Sequence, residues 1–503
     1  MLEIDGRSLT LERFDAVVRG ATRTQLAAAA RERVVRARET IERAVAGEAA
    51  VYGVNTGFGD LARVRIEREN LARLQERLIL SHCAGLGDPL PAEVVRGMLL
   101  LRANTLARGH SGARPIVIES LLAMLDADVL PVVPSRGSVG ASGDLAPLAH
   151  LALALLGRGE VEVGGVRMGA AEGLTRAGVA PLRLQAKEGL ALINGTQAMT
   201  SLTVLAALDA RRLVGSADLA AALSTDALRG TDTAFDPRLH ALRAYPGQIA
   251  SAANLWRLLH DSAIRESHRV ADLRVQDPYS IRCVPQVHGA VRDVLTDVER
   301  KLAVELNAVT DNPLVFPDQD EILSGGNFHG EPIAIAADTL AIAVSELGGI
   351  SERRIEKLTN TAFSGLPPFL VSDAGLNSGF MIAQVAAAAL ASENKTLCHP
   401  ASVDSIPTSA DKEDHVSMGM GAALKLRQVV SNVRYILAIE FTAAAQGIDL
   451  LRPLTSSTPL EALHAALRQR VPMWREDREM AADLNAVHDF LCSGIEPFID
   501  SLD

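Results

Sequence analysis

Three stretches of this chain, residues 333–366, 369–399 and 408–452, run without a proline and are rich in alanine and leucine. Proline in a helix interior costs about 3 kcal/mol, so its absence over such lengths leaves long rods free to form. The last stretch alone predicts a helix of roughly 30 residues, ~45 Å long at the standard rise. Short loops carrying proline and glycine, "SGLPPFLV" and "HPASVDSIPTSA", join these stretches, and the pattern predicts a helix bundle.

Before residue 200 the elements are shorter. The first ten residues predict a strand or hairpin, and "ATRTQLAAAARERVVRARETIERAVAG" an amphipathic helix ending at Gly47. Another helix is expected from about Glu69 to His82. The Gly/Asn-rich "YGVNTGFGD" between them reads as a loop. "VEVGGVRMGA" is the one convincing hairpin signal, with Gly164-Gly165 between alternating valines. The expectation is a mostly α chain with little β structure: a smaller N-terminal domain over 1–200, a central long-helix bundle over 201–452, and a helical tail over 453–503.

Composition narrows the function. Hydrophobic residues at 48% and charged residues at 22% are ordinary for a globular chain, and aromatics at 3% imply a core of small aliphatic side chains. A net charge of −11 disfavours nucleic acid as partner. The four cysteines are scattered without a Cys-x-x-Cys pair, and no His-Glu-x-x-His occurs among the twelve histidines. No metal is therefore expected, and a reduced, cytoplasmic protein is. The N-terminus lacks a secretory h-region. The longest apolar runs, such as "LALALLG", fall short of the ~18 residues of a membrane span, so no membrane partner is expected.

The chemistry centres on "GSVGASGDLAPLAH", Gly137 to His150. A hydrolase elbow needs glycine two residues either side of its serine; Gly140 satisfies this for Ser142, and Asp144 does not. No Gly-Lys-Ser/Thr follows for a phosphate loop, and no G-x-G-x-x-G exists for a dinucleotide. Two readings remain. One is a flexible loop with Asp144 as N-cap of the helix that follows. The other uses the small size of Ala141, Ser142 and Gly143: the Gly143 nitrogen attacks the Ala141 carbonyl carbon, and two dehydrations leave an imidazolone bearing a methylidene from Ser142. Glycine suits the attacking position because a Cβ would crowd the turn.

This stretch resembles the prosthetic-group signature of the aromatic amino acid ammonia-lyases. The resemblance extends from Tyr52 to about Met420 through "YGVNTGFGD", "LINGTQAM", "QDPYSIRCVPQVHG", "TDNPL", "GGNFHGEP", "SGLPPFLV" and "SVDSIPTSADKEDHVSMG". It implies that Ala141, Ser142 and Gly143 form 4-methylideneimidazol-5-one autocatalytically in the N-terminal domain, with no external cofactor. Tyr52, one of four tyrosines, would remove the substrate's β-proton, and Tyr279 would line the site near the electrophile. A tyrosine on such a loop otherwise serves packing. Arg282 matches a substrate carboxylate, Asn194 and Gln276 hold its polar groups or close their own loops, and Phe328 supplies an apolar wall.

Selectivity rests on His82 in "LILSHCAGLG" and Glu413 in "KEDHVSMG", which resemble the two imidazole contacts of the family's histidine-specific members. The implied reaction is elimination of ammonia from L-histidine to give trans-urocanate. The substrate's amine or its imidazole bonds the electrophile. A tyrosine or phenylalanine lyase, or an aminomutase with the same group, is the alternative. Asp411-Lys412, where Asn-Gln is common, and Cys83, where alanine is common, depart from the pattern beside the presumed contacts. A homotetramer is implied, with each site built from three subunits, Tyr52 and Ser142 from one chain and Tyr279 and Arg282 from another.

Overall fold

A computed structural model describes all residues except 21, 58–63, 271, 273 and 503. Phe58–Asp60, the end of the "YGVNTGFGD" loop, lie outside the described residues. The chain forms two compact units, each discontinuous in sequence. The first comprises 1–205, 299–338 and 400–424; the second comprises 206–298, 339–399 and 425–503.

Helices dominate. The longest are Gln197–Ala227, Val284–Glu305, Glu331–Thr359 and Gly419–Leu450, of 31, 22, 29 and 32 residues. The proline-free stretch 369–399 yields a shorter rod than expected, the 17-residue Met381–Leu397. Asp373, Gly375 and Gly379 adopt positive φ and keep the residues before it in turns. By length and composition, Glu331–Thr359 is apolar enough to cross a membrane, although no unbroken apolar run in the sequence is that long. With 61% of its most apolar window buried within the protein, it is a core helix.

Strands are three or four residues long and, among the described residues, confined to the first unit. The first residues form a strand rather than a hairpin: Leu2–Ile4 pairs in parallel with Thr24–Leu26. That pairing moves the start of the first long helix to Ala28, because Thr24 is committed to the sheet and to the Asp126 carboxylate through its N–H and hydroxyl. The helix ends at Ala46, as expected. Val163 and Val166 close the anticipated hairpin, with Gly164 and Gly165 both at positive φ, as a two-residue primed turn requires.

In the first unit, Ala37, Ile41, Val54 and Val315 form a fully buried cluster. Val54 thereby anchors the loop that carries Tyr52. The second unit buries polar groups as well. Glu440 binds Arg354 through both oxygens at 2.5 and 2.9 Å and accepts from Ser224 and Ser351. All four side chains are buried, and the carboxylate's lone pairs are well used, the condition under which a buried ion pair is tolerable.

Candidate active site

The loop around Ser142 is held by two distant parts of the sequence, 194–195 and 417–418. Gly143 pairs with Gly195 in an isolated parallel bridge, and the Asp144 N–H donates to the Gly195 carbonyl at 2.7 Å. The Ser417 hydroxyl donates to the Gly140 carbonyl at 3.0 Å, and the Met418 N–H to the Val139 carbonyl at 2.8 Å. The Asn194 amide donates to the Ser142 carbonyl at 3.0 Å.

Gly143 sits at φ +73°, where a Cβ would lie 2.1 Å from the Gly195 oxygen, so nothing larger than glycine fits. Ala141 is buried beside it. A turn this tight, with no Cβ at its third residue, fits the geometry that a five-membered ring across Ser142 demands.

Asp144 departs from the simpler sequence reading. It precedes the helix Leu145–Leu155 but makes no side-chain cap to it. Its carboxylate instead accepts the Ala198 and Met199 N–H groups at 3.0 and 2.8 Å, at the start of the helix Gln197–Ala227, and the Ser138 hydroxyl at 3.0 Å. Capping a different helix welds the loop to the unit's interior. Burial pushes the Asp144 carboxyl up to about 6, outweighing the bonds from Met199, Ser138 and Ala198 that favour its charged form, and the nearby Glu305 adds to the rise.

A cavity of about 990 Å³ opens over the loop, lined by Tyr52, His82, Ala141, Ser142, Asn194, Phe328 and Glu413, all in the first unit. This is the upper end of ordinary ligand pockets, about 300–1,000 Å³, and more room than one amino acid fills. Tyr52 stands on a turn braced from within: the Asn55 side chain accepts the Val51 N–H at 2.7 Å and donates to the Ala49 carbonyl at 2.9 Å. Gly53 takes φ +70° with Leu190 packed where a Cβ would go.

His82 ends the helix Leu71–His82, and its Nδ1 lies 2.9 Å from the Leu78 carbonyl. A carbonyl only accepts, so the contact to Leu78 is a hydrogen bond in the tautomer with the proton on Nδ1, which leaves Nε2 as an acceptor; the Ser81 hydroxyl also lies 3.0 Å from Nδ1. Burial lowers the His82 pKa, opposed by the Leu78 carbonyl and the Glu413 charge, and favours the neutral ring. Glu413 accepts from the Ser142 hydroxyl at 3.0 Å and from Thr408 Oγ1 at 2.7 Å. The backbones of Thr408 and Glu413 exchange N–H···O bonds of 3.0 and 3.3 Å, which fixes the carboxylate over the serine. Beside His82, burial pushes the Cys83 thiol up to about 11, so it stays protonated near neutrality.

Residues 9–469 match the family model for aromatic amino acid lyase. The chain belongs to this family. It is 57% identical to a histidine ammonia-lyase of Deinococcus radiodurans, over 97% of this chain and 93% of that protein. Among solved structures, histidine ammonia-lyase from Trypanosoma cruzi superposes with a TM-score of 0.92 at 46% identity, covering 99% of this chain and 95% of that one. Tyrosine aminomutase from Streptomyces globisporus gives 0.93 at 38% identity, with 99% and 98% covered.

Three of the candidate residues lie outside the first unit. Gln276, Tyr279 and Arg282 belong to the second unit and are not among the residues lining the cavity. Tyr279 and Arg282 share a four-residue helix; Tyr279 is 69% exposed, and the Arg282 guanidinium lies 4.5 Å from the centre of its ring. Arg282 also donates from Nε to the Asp277 carbonyl at 3.1 Å. Sequence reasoning assigned no role to His329 and His415, whose stacked rings lie 5.9 Å apart on the cavity wall; Lys412, noted only as a departure from the family pattern, also lines it. Their signal was position alone: each directly adjoins, or follows by two residues, a residue already chosen.

Proposed function

We propose that this lyase eliminates ammonia from L-histidine, without oxidation, to give trans-urocanate. The observation that carries the reading is the placement of His82 Nε2 and the Glu413 carboxylate on the same cavity as Ser142. Both are acceptors: a neutral imidazole offers its one N–H to either of them, and an imidazolium offers an N–H to each. A phenyl ring would leave them unpaired at a cost that sites of this kind use to discriminate. Relatives named for this activity at 57% and 46% identity support it.

Ala141, Ser142 and Gly143 fit 4-methylideneimidazol-5-one, formed by the chain itself with no external cofactor. That group supplies the electrophile that makes the substrate's amine a competent leaving group. Tyr52 takes the β-proton, and Asn194 holds the Ser142 carbonyl. Phe328 closes the apolar side, and the carboxylate of the substrate calls for a planar bidentate cation, the role of Arg282.

Arg282, Tyr279 and Gln276 serve a neighbouring subunit's cavity in this reading. The exposure of Tyr279 and the spare volume over Ser142 support a homotetramer with shared sites. We place the protein in the cytoplasm, in keeping with four free cysteines.

A panel of histidine, tyrosine and phenylalanine, followed by ultraviolet absorbance of the unsaturated acids, tests the substrate. Turnover of histidine well above the others is expected; preference for tyrosine or phenylalanine overturns the assignment. A β-amino acid as the main product marks an aminomutase. Intact mass tests the prosthetic group, with a chain lighter than its sequence by two waters as the expected result.

A further inference from the structure

Arg102 lies beneath the Ser142 loop, on the helix Ala92–Ala107, with no exposed surface. Its Nη1 donates to the Asn194 carbonyl at 2.7 Å and to Gln197 Oε1 at 3.1 Å. Its Nε and Nη2 are buried without a hydrogen-bond partner in the protein. The acid whose charge reaches it, Asp311, is already bound by the fully buried Lys187 at 2.8 Å. A buried cation so poorly compensated is costly, and burial depresses its pKa to about 10. Stability alone gives no reason to keep it.

What the guanidinium grips is the peptide that shapes the loop. Asn194 holds the Ser142 carbonyl, and Gly195 receives the Asp144 N–H. Gly195 itself is at φ +152°, where a Cβ would meet Gln197 Oε1 at 2.5 Å, the Thr310 carbonyl at 2.6 Å and Arg102 Nη1 at 2.8 Å. Gly195 is thus packed between Arg102 and Gln197 on one side and Gly143 on the other. Gln197 cannot retreat, because its amide donates to Thr105 Oγ1 at 3.2 Å and Thr310 Oγ1 at 2.9 Å.

We propose that Arg102 is a positioning residue for prosthetic-group formation, acting through the Asn194–Gly195 peptide to hold the Ala141–Gly143 turn closed. The inference rests on the self-made electrophile proposed above. In ring closure the Gly143 nitrogen bonds the Ala141 carbonyl carbon. The carbonyl oxygen leaves as water with the N–H hydrogens of Gly143 and Ser142, forming a C=N bond to Ser142. The Ser142 hydroxyl then leaves with the α-hydrogen as a second water, forming the methylidene. No oxidant is needed. An amide nitrogen is a poor nucleophile, so the first bond depends on a turn restrained near the attacking geometry.

The test follows the mass of newly made full-length chain after a pulse of cell-free synthesis. Arg102→Met and Arg102→Lys are compared with the parent, and folding is tracked by circular dichroism and urea unfolding. In folded Arg102→Met, loss of two waters from the peptide containing Ser142 is expected to slow at least about 10-fold, the scale of one charge-assisted hydrogen bond. Arg102→Lys, which keeps a cation and a donor, should fall between. A merely structural arginine predicts a lower urea midpoint with folded chains maturing at the parental rate, and that result overturns the proposal. If Arg102→Met does not fold, parental maturation in folded Arg102→Lys overturns it equally. A parent that keeps its full sequence mass removes the prosthetic-group reading itself, and this inference with it.

Discussion

Replacing Asp144 with asparagine should stabilise the protein above neutrality. The carboxyl titrates near 3.8 when unfolded and at about 6 when folded, with burial as the largest cause. A folded-state pKa above the unfolded one means that the native protein binds more protons between these values. Stability therefore falls as pH rises from about 4 to about 6 and then levels. A displacement of about two pH units at 1.36 kcal/mol each gives about 3 kcal/mol of penalty at pH 8.

Asparagine is nearly isosteric and neutral. Its Oδ1 accepts from Ala198 and Met199, and its amide donates to the Ser138 hydroxyl where the carboxylate now accepts. Asp144→Asn should then exceed the parent by about 1–3 kcal/mol at pH 8, with the gap narrowing towards zero at pH 4. Urea midpoints at both pH values measure it. Glu305, also buried and also raised, leaves some pH dependence in both proteins. An asparagine variant less stable than the parent at pH 8 would refute the reasoning: charge-dipole attraction at the start of the helix Gln197–Ala227 would then outweigh burial.

Tyr52→Phe removes only a phenol, so kcat should fall at least ~10²-fold, the scale of a general base, with the two-water mass deficit intact. Normal turnover would return Tyr52 to a packing role. His82→Leu and Glu413→Gln should each depress histidine turnover far more than they shift the unfolding midpoint, and His82→Leu should admit tyrosine or phenylalanine weakly; parental kinetics for both would sink the substrate assignment. Tyr52→Phe and Arg282→Ala chains, each nearly inactive, should regain part of the activity when unfolded, mixed and reassembled, because some sites then carry neither lesion. A reassembled tetramer as inactive as its parents would show that one chain supplies both residues.

How far the sequence carries depends on which interactions decide each feature. Long rods follow from proline absence in two of the three stretches, as Glu331–Thr359 and Gly419–Leu450, whereas 369–399 holds only Met381–Leu397. The Val163–Val166 turn follows from two adjacent glycines. Position 24 misled because a helical pattern there competes with pairing to Leu2, a partner that local periodicity does not register. Asp144 misled similarly: its place before a helix suggested a local cap, and the structure turns it to N–H groups more than fifty residues away. His82 and Glu413 were legible only through motif resemblance, since no spacing rule joins residues so far apart. Arg102 gave no signal, because a buried arginine inside "LLLRANTLARG" resembles any charged residue on a helix.

The distant origins of the braces on the Ser142 loop also set an order of events during biosynthesis. When Ser142 leaves the ribosome, Asn194, Gly195 and Ser417 have yet to be made. A chain that stops before residue 194, whether from a nonsense codon or a stalled ribosome, lacks the surfaces that close the turn, and under the proposed chemistry it would keep an ordinary serine. The proposed electrophile would thus be confined to folded chains extended past Met418, and shorter fragments would reach the cell's proteases without a group that could alkylate them.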